Sequence, residues 1–266
     1  MKAKFRHTAF SLLFLLFLIP ESKAQFLKKL QKRVEQKVEN VIVDKSSNKA
    51  AEKTSNSMDK VFDISTIQKE KVNPATIAGS YNFTWKYSLK ITSREGEMGF
   101  DYYLKPDAPY FGFSTAAMEN MFTVMDNTNK VSVIFMQSEG NNIGMATKLP
   151  EDFDASENDD QKFKFETLPN KIINGFNCKG VKSYNSTYET IMYFTNETEV
   201  GFNDIFKSSK AKIPAELKNY FNEKDKMLVI FMESKNLKNK KENVKMECVG
   251  LEKTQKTIKK ADYKFM

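Results

Sequence analysis

The stretch from Gly79 to Thr92, GSYNFTWKYSLKIT, limits what this chain can fold into more than any other. Its odd positions are Tyr81, Phe83, Trp85, Tyr87, Leu89 and Ile91, and its even positions are Ser80, Asn82, Thr84, Lys86, Ser88, Lys90 and Thr92. Side chains of a strand point alternately to its two faces, whereas a helix would scatter these apolar residues around its whole circumference. The stretch therefore predicts one long strand with an aromatic-aliphatic face and a polar face. Aromatic and β-branched residues suit a pleated surface, which strengthens the reading. The rest of the chain is expected to supply a sheet around it.

The same period of two recurs downstream. Met98, Phe100, Tyr102 and Leu104 share one side of a partner strand after the turn at Arg94-Glu95-Gly96. Residues 105–112, KPDAPYFG, read as a loop with exposed aromatics. The segments MFTVMD (121–126) and VSVIFMQ (131–137) flank an Asn-rich turn and predict a second hairpin. Further strands are expected at 143–148, 163–167, 178–184, 187–195, 227–233 and 244–251, with Asn174-Gly175 as a turn. Pro214 suits the first turn of a short helix that begins at Ile213 and carries Tyr220 and Phe221. The βαβ alternation of a parallel sheet is absent. The expected class is mainly β (α+β), an antiparallel sheet with one buried and one wet face.

Ahead of this sheet the pattern differs. Lys2, Lys4 and Arg6, then an apolar run from Phe10 to Ile19, then Glu21-Ser22-Lys23-Ala24, have the layout of a secretory signal peptide cleaved after Ala24. Leu30, Val34, Val38 and Val41 then recur at helical spacing among lysines, arginine and glutamates, which predicts a charged helix with a narrow apolar seam. Residues 44–60 have a linker-like composition. The expected organisation is a signal peptide (1–24), a charged helical arm and linker (25–73) and a β domain (74–266). The arm reads as a solvated spacer, a self-association helix or a basic amphipathic helix on a membrane surface, with residues 26–42 carrying either contact. Location follows as periplasm or secreted.

Composition then narrows the chemistry. The net charge of +8 gathers at the two ends of the chain, without an aromatic-rich basic patch, so nucleic acid is not an expected partner. The only histidine, His7, lies in the signal peptide. That leaves no Ser-His-Asp triad, no Cys-His pair and no histidine-ligated zinc in the mature chain. Residues 151–160, EDFDASENDD, alternate like a calcium loop but lack the glycine and the bidentate glutamate such a loop needs, so no metal is expected there. No cofactor and no catalytic residues are expected. Cys178 and Cys248 are the only cysteines. In an exported chain they are expected to pair as a disulfide between neighbouring strands, the competing reading being two buried free thiols.

Several segments carry a family resemblance: QFLKKLQKRVEQKVENV directly after the signal peptide, MFTVMDNTNKVSVIF, KIINGFNCKGVKSY, the pair MLVIFMES and VKMECVGLE, and the terminal ADYKFM. In these the chain resembles a family of exported bacterial proteins known as domain of unknown function 4412. That family is similar in turn to the outer-membrane lipoprotein carrier fold. The resemblance implies a strongly curved antiparallel sheet, an incomplete barrel with an apolar interior and a short covering helix, preceded here by the charged N-terminal helix. It supplies no catalytic residues.

Methionine is frequent on the apolar faces, and its flexible thioether suits a cavity that adapts to an acyl chain as well as an ordinary core. The candidate ligand cavity comprises Tyr81, Phe83, Trp85, Tyr87, Phe100, Tyr102, Phe111, Met125 and Met136, with Phe111 and Phe113 at its rim. The expected function is binding of a hydrophobic ligand, a lipid or the acyl chain of a lipoprotein. The alternative is a structural or interaction protein of the cell envelope that works through its N-terminal helix.

Overall fold

Around the strand of Gly79–Thr92 the chain builds a single twelve-stranded sheet, in the order β12-β6-β5-β4-β3-β2-β1-β11-β10-β9-β8-β7. The structure is a computed structural model that describes residues 72–94, 96–116, 120–138, 140–149, 163–201 and 226–266. The charged arm, the acidic loop at 151–160 and the short helix from Ile213 lie outside the described residues. Among those described, the helical turns are three-residue 3-10 segments such as Pro74–Thr76, whose start Asn73 caps through its side chain onto the Ala75 N–H. No helix among them is long and apolar enough to cross a membrane.

The strands are β1 (Ser80–Ser93), β2 (Gly96–Leu104), β3 (Tyr110–Thr115), β4 (Met121–Asp126), β5 (Val131–Ser138), β6 (Asn141–Lys148), β7 (Lys164–Ile173), β8 (Phe176–Tyr184), β9 (Tyr188–Thr195), β10 (Leu228–Asn236), β11 (Val244–Lys259) and β12 (Lys264–Phe265). All pairings are antiparallel except β12 on β6. Asn174 and Gly175 both take positive φ between β7 and β8, the conformation a two-residue hairpin needs. The segment read as the loop 105–112 instead enters β3 at Tyr110, so Phe111 and Phe113 stand on a strand and not on a loop rim.

The long ribbon of β1 and β11 is the axis of the molecule. The Trp85–Ile91 part of β1 alternates as the sequence dictates. Tyr87, Leu89 and Ile91 are buried on one side, and Lys86 and Lys90 stand on the other among Asp101, Glu97, Glu247 and Glu252. We call these the Tyr87 face and the Lys86 face. These ion pairs are partly solvated and contribute little each. They mark the Lys86 face as the wet one along this part of the ribbon.

The sheet is strongly bent. Neighbouring strands lie about 4.8 Å apart, so β1 and β4 would be separated by roughly 14 Å in a flat sheet. Yet the Tyr81 hydroxyl donates to Asp126 Oδ2 of β4 at 2.9 Å. On the other flank, Asn174 in the β7–β8 turn donates to the Cys248 carbonyl of β11 at 2.7 Å, and the Tyr87 hydroxyl reaches the Val229 carbonyl of β10. The register of β1 with β11 shifts between Phe83 and Trp85 and again between Ser88 and Leu89, each time with an extra residue in β11. Such bulges increase local twist and bend the strand that carries them.

Bending sets apart two clusters of buried apolar residues among those described. The larger gathers Tyr87, Leu89, Ile91, Phe100, Tyr102, Leu104 and residues of β8 to β11. The smaller closes where the far end of the ribbon crosses the Lys86 side of β3 to β6, packing Tyr81, Phe83 and Ile258 on Phe122, Val124, Val133 and Phe135. The β4–β5 hairpin is therefore buried on both sides, which explains its nearly unbroken apolar sequence.

Both margins of the sheet are modified. At one end β7 carries Pro169 within a register irregularity between Leu168 and Lys171. At the other, β12 pairs through only two residues with β6, and the Val72 N–H bonds to the Ala146 carbonyl further along. The Phe265 ring lies where a Cβ on Gly144 would come within 2.5–2.8 Å of it, so that contact requires glycine.

Candidate ligand-binding face

The residues expected to line one cavity do not all share one face. Trp85, Tyr87, Phe100, Tyr102, Phe111, Met125 and Met136 share the Tyr87 face, as the pairs Trp85–Leu104, Tyr87–Tyr102, Leu89–Phe100, Tyr102–Phe113, Phe111–Met125 and Met121–Met136 require. Tyr81 and Phe83 do not join them. Their rings meet Tyr110 at 5.2 and 5.7 Å in the smaller core, beyond the end of β2. The reason is the ribbon's bend, which carries an alternating strand from one side of the sheet to the other.

On the Tyr87 face the aromatic rings form a connected set. Tyr102 is central, with ring centroids 6.2 Å from Tyr87, 6.3 Å from Phe100, 6.2 Å from Phe111 and 6.1 Å from Phe113. Burial pushes the hydroxyls of Tyr87 and Tyr102 well above the usual tyrosine range. They act as neutral groups at any physiological pH.

Beside the rings runs a row that the sequence did not make legible. Val181, Met192, Met232, Met246, Ile91 and Met98 are successive cross-strand partners from β8 through β9, β10, β11 and β1 to β2. Three thioethers thus stand side by side on adjacent strands. All but Met98 are buried. The next row along the same strands is polar: Ser183, Thr190 and Ser234, followed by Val244 and Ser93. Thr190 Oγ1 donates to Ser234 Oγ at 3.0 Å. Ser183 is 2% exposed, and its hydroxyl has no hydrogen-bond partner. One row further, Tyr188 pairs with Asn236, and the Asn236 side-chain amide donates to the half-buried Glu242 carboxylate at 2.6 Å. Each of these residues is ordinary by itself; only the register assembles the rows.

The two cysteines are a correction to the expected disulfide. Cys178 and Cys248 are free and buried. They belong to β8 and β11, and β9 and β10 intervene, so they are not neighbouring strand positions. Each thiol instead points at a nearby carbonyl, Cys178 Sγ at Phe176 O and Cys248 Sγ at Gly250 O. Burial pushes both thiols up, away from the reactive thiolate. Among the described residues no group of three or more His, Cys, Asp or Glu side chains converges on a point where a metal could sit.

No family model matches the chain, and no curated protein matches it in sequence. Solved structures with partial likeness include PNGF-II, at 11% identity and a TM-score of 0.34, over 65% of this chain. That overlap spans only 28% of the PNGF-II chain. An uncharacterized conserved protein from Thermus thermophilus aligns at 9% identity and a TM-score of 0.36, over 72% of this chain and 88% of that one. The LolA superfamily protein NE2245 from Nitrosomonas europaea aligns at 10% identity and a TM-score of 0.25, over 71% of this chain and 92% of that one.

Proposed function

We propose that this chain is an exported protein that binds a hydrophobic ligand, a lipid or the acyl chain of a lipoprotein, on the Tyr87 face of its bent sheet. One observation carries the reading: the unbroken apolar row from Val181 to Met98 beside the Tyr102-centred rings. Flexible thioethers fill an ordinary core, and three of them side by side also let a buried face re-form around a chain of variable shape. The affinity would come from burial, at about 0.8 kcal/mol for each methylene removed from water, and the chemistry would be binding without turnover. The incomplete barrel, the covering helix and the membership in the domain 4412 family belong to this proposal, as does location in the periplasm or beyond it.

The test is native mass spectrometry of the mature protein, purified gently from its own envelope fraction, together with titration by a fluorescent acyl probe. A bound acyl species near one per chain, displaced by the probe, is the expected result. Deleting residues 25–60 is expected to leave probe binding unchanged. An apo mass with no probe uptake, or loss of uptake on that deletion, would remove the sheet face from consideration.

A further inference from the structure

We propose that the ligand of this face carries an uncharged carbonyl group, an ester or amide, which accepts a hydrogen bond from Ser183 while its hydrocarbon lies along the methionine row. The inference rests on the ligand-binding reading and specifies its chemistry. A buried hydroxyl without a partner costs about 1–3 kcal/mol, and native proteins leave few such groups without a reason. Ser183 lies two residues from Val181 on the same side of β8, so it stands at the end of the apolar row and not within the other core. Its cross-strand neighbour Thr190 already donates to Ser234 and leaves the Ser183 proton uncommitted. A carbonyl oxygen accepts that proton and brings no hydrogen of its own to be satisfied.

The charges at this end argue against an acid. The next row holds Tyr188 and Asn236, and the carboxylate bound by Asn236 is Glu242. Lys164, Lys182 and Lys235 lie on β7, β8 and β10 but alternate with Phe165, Ser183 and Ser234, which places them on the opposite side; two of them pair there with Glu189 and Glu233. Among the described residues, a fatty-acid carboxylate or a phosphate would meet a like charge here with no cation on the same side to balance it. A neutral carbonyl meets no such penalty.

Three pyrene-labelled dodecyl probes separate the possibilities: the methyl ester, the free carboxylate and the plain hydrocarbon. The full mature chain is expected to bind the ester up to about tenfold tighter than the hydrocarbon, the worth of one neutral hydrogen bond, and tighter still than the carboxylate. Ser183→Ala should bring the ester to the level of the hydrocarbon and leave hydrocarbon binding unchanged. The same variant, without ligand, should melt no lower than the parent, because it removes an unpaired polar atom. A side chain with only a structural role would not separate the two probes. Equal binding of ester and hydrocarbon by the parent, or an ester preference that survives in Ser183→Ala, overturns the inference but leaves the ligand-binding reading standing. Failure of all three probes to bind overturns both.

Discussion

Replacing Tyr81 by phenylalanine removes the bond that holds the ribbon's end to the body of the sheet. The ring stays, so the edge-on contacts with Tyr110 at 5.2 Å and Phe135 at 6.3 Å are kept, and only the oxygen is lost. That oxygen donates to Asp126 Oδ2 at 2.9 Å, and Asp126 is 2% exposed. The same carboxylate also accepts from the Thr128 and Asn129 main-chain N–H groups, each at 3.0 Å, and from the Asn129 amide at 2.7 Å. It therefore ties the β4–β5 turn to the ribbon. A hydrogen bond to a charged group contributes about 1.5–3 kcal/mol. For a domain of this size that corresponds to a fall in Tm of about 3–12 °C. Asp126→Asn should cost more, because it also disturbs the turn. The double variant should fall short of the sum by about 1 kcal/mol or more, since both changes remove the same bond. Chemical denaturation of all four proteins provides the cycle. A Tyr81→Phe variant within 1 °C of the parent, or strict additivity, would refute the idea that this bond fastens the ribbon.

Two further outcomes follow from the buried tyrosines and thiols. In the native chain Cys178 and Cys248 should resist a thiol reagent at pH 8, and both should react once the chain is unfolded by denaturant without reductant; no reaction in denaturant would contradict the free thiols. Burial raises the hydroxyls of Tyr81, Tyr87 and Tyr102 above their unfolded value, Tyr81 with further help from Asp126. A raised folded pKa gives stability that is complete below about pH 10 and is lost as pH rises toward the folded values, by up to roughly 1.4 kcal/mol per pH unit for each group. Tyrosinate absorbance from these residues should appear only together with unfolding. A smooth titration of every tyrosine near pH 10 with the far-ultraviolet spectrum intact would contradict it.

The local elements were legible because each strand has its own alternation. Tyr87, Leu89 and Ile91 announce a buried side without reference to any other residue, and Asn174-Gly175 announces its turn by the backbone it permits. What crosses strands was not legible. The row of Met192, Met232 and Met246 depends on two registers at once, and a slip of one residue in either would turn a thioether to the opposite side. The extra residues in β11 make the same point, because nothing in VKMECVGLEKTQKTIK marks where the pairing shifts. For the same reason Tyr81 and Phe83, which continue the pattern of Tyr87 without a break, lie in a different core. Composition and compartment favoured a disulfide, but whether two cysteines meet is a question of topology, and two strands stand between them. The segment KPDAPYFG was misread because two prolines punctuate its start, while its end, Gly112 included, is already strand.

An open sheet is also a polymer of strands with two growing ends, and this one has a terminator at each. On the β7 side Pro169 has no N–H to offer an incoming strand, and the irregularity around it breaks the repeat that a newcomer would have to match. On the β6 side the last two strand residues of the chain occupy the growth point themselves, seated by Phe265 against Gly144, and Val72 takes a further acceptor along the same margin. Termination on this side is intramolecular, so its effective concentration does not fall when the protein is diluted nor lose out when it is crowded. On this margin the end of the sheet is set by the chain itself.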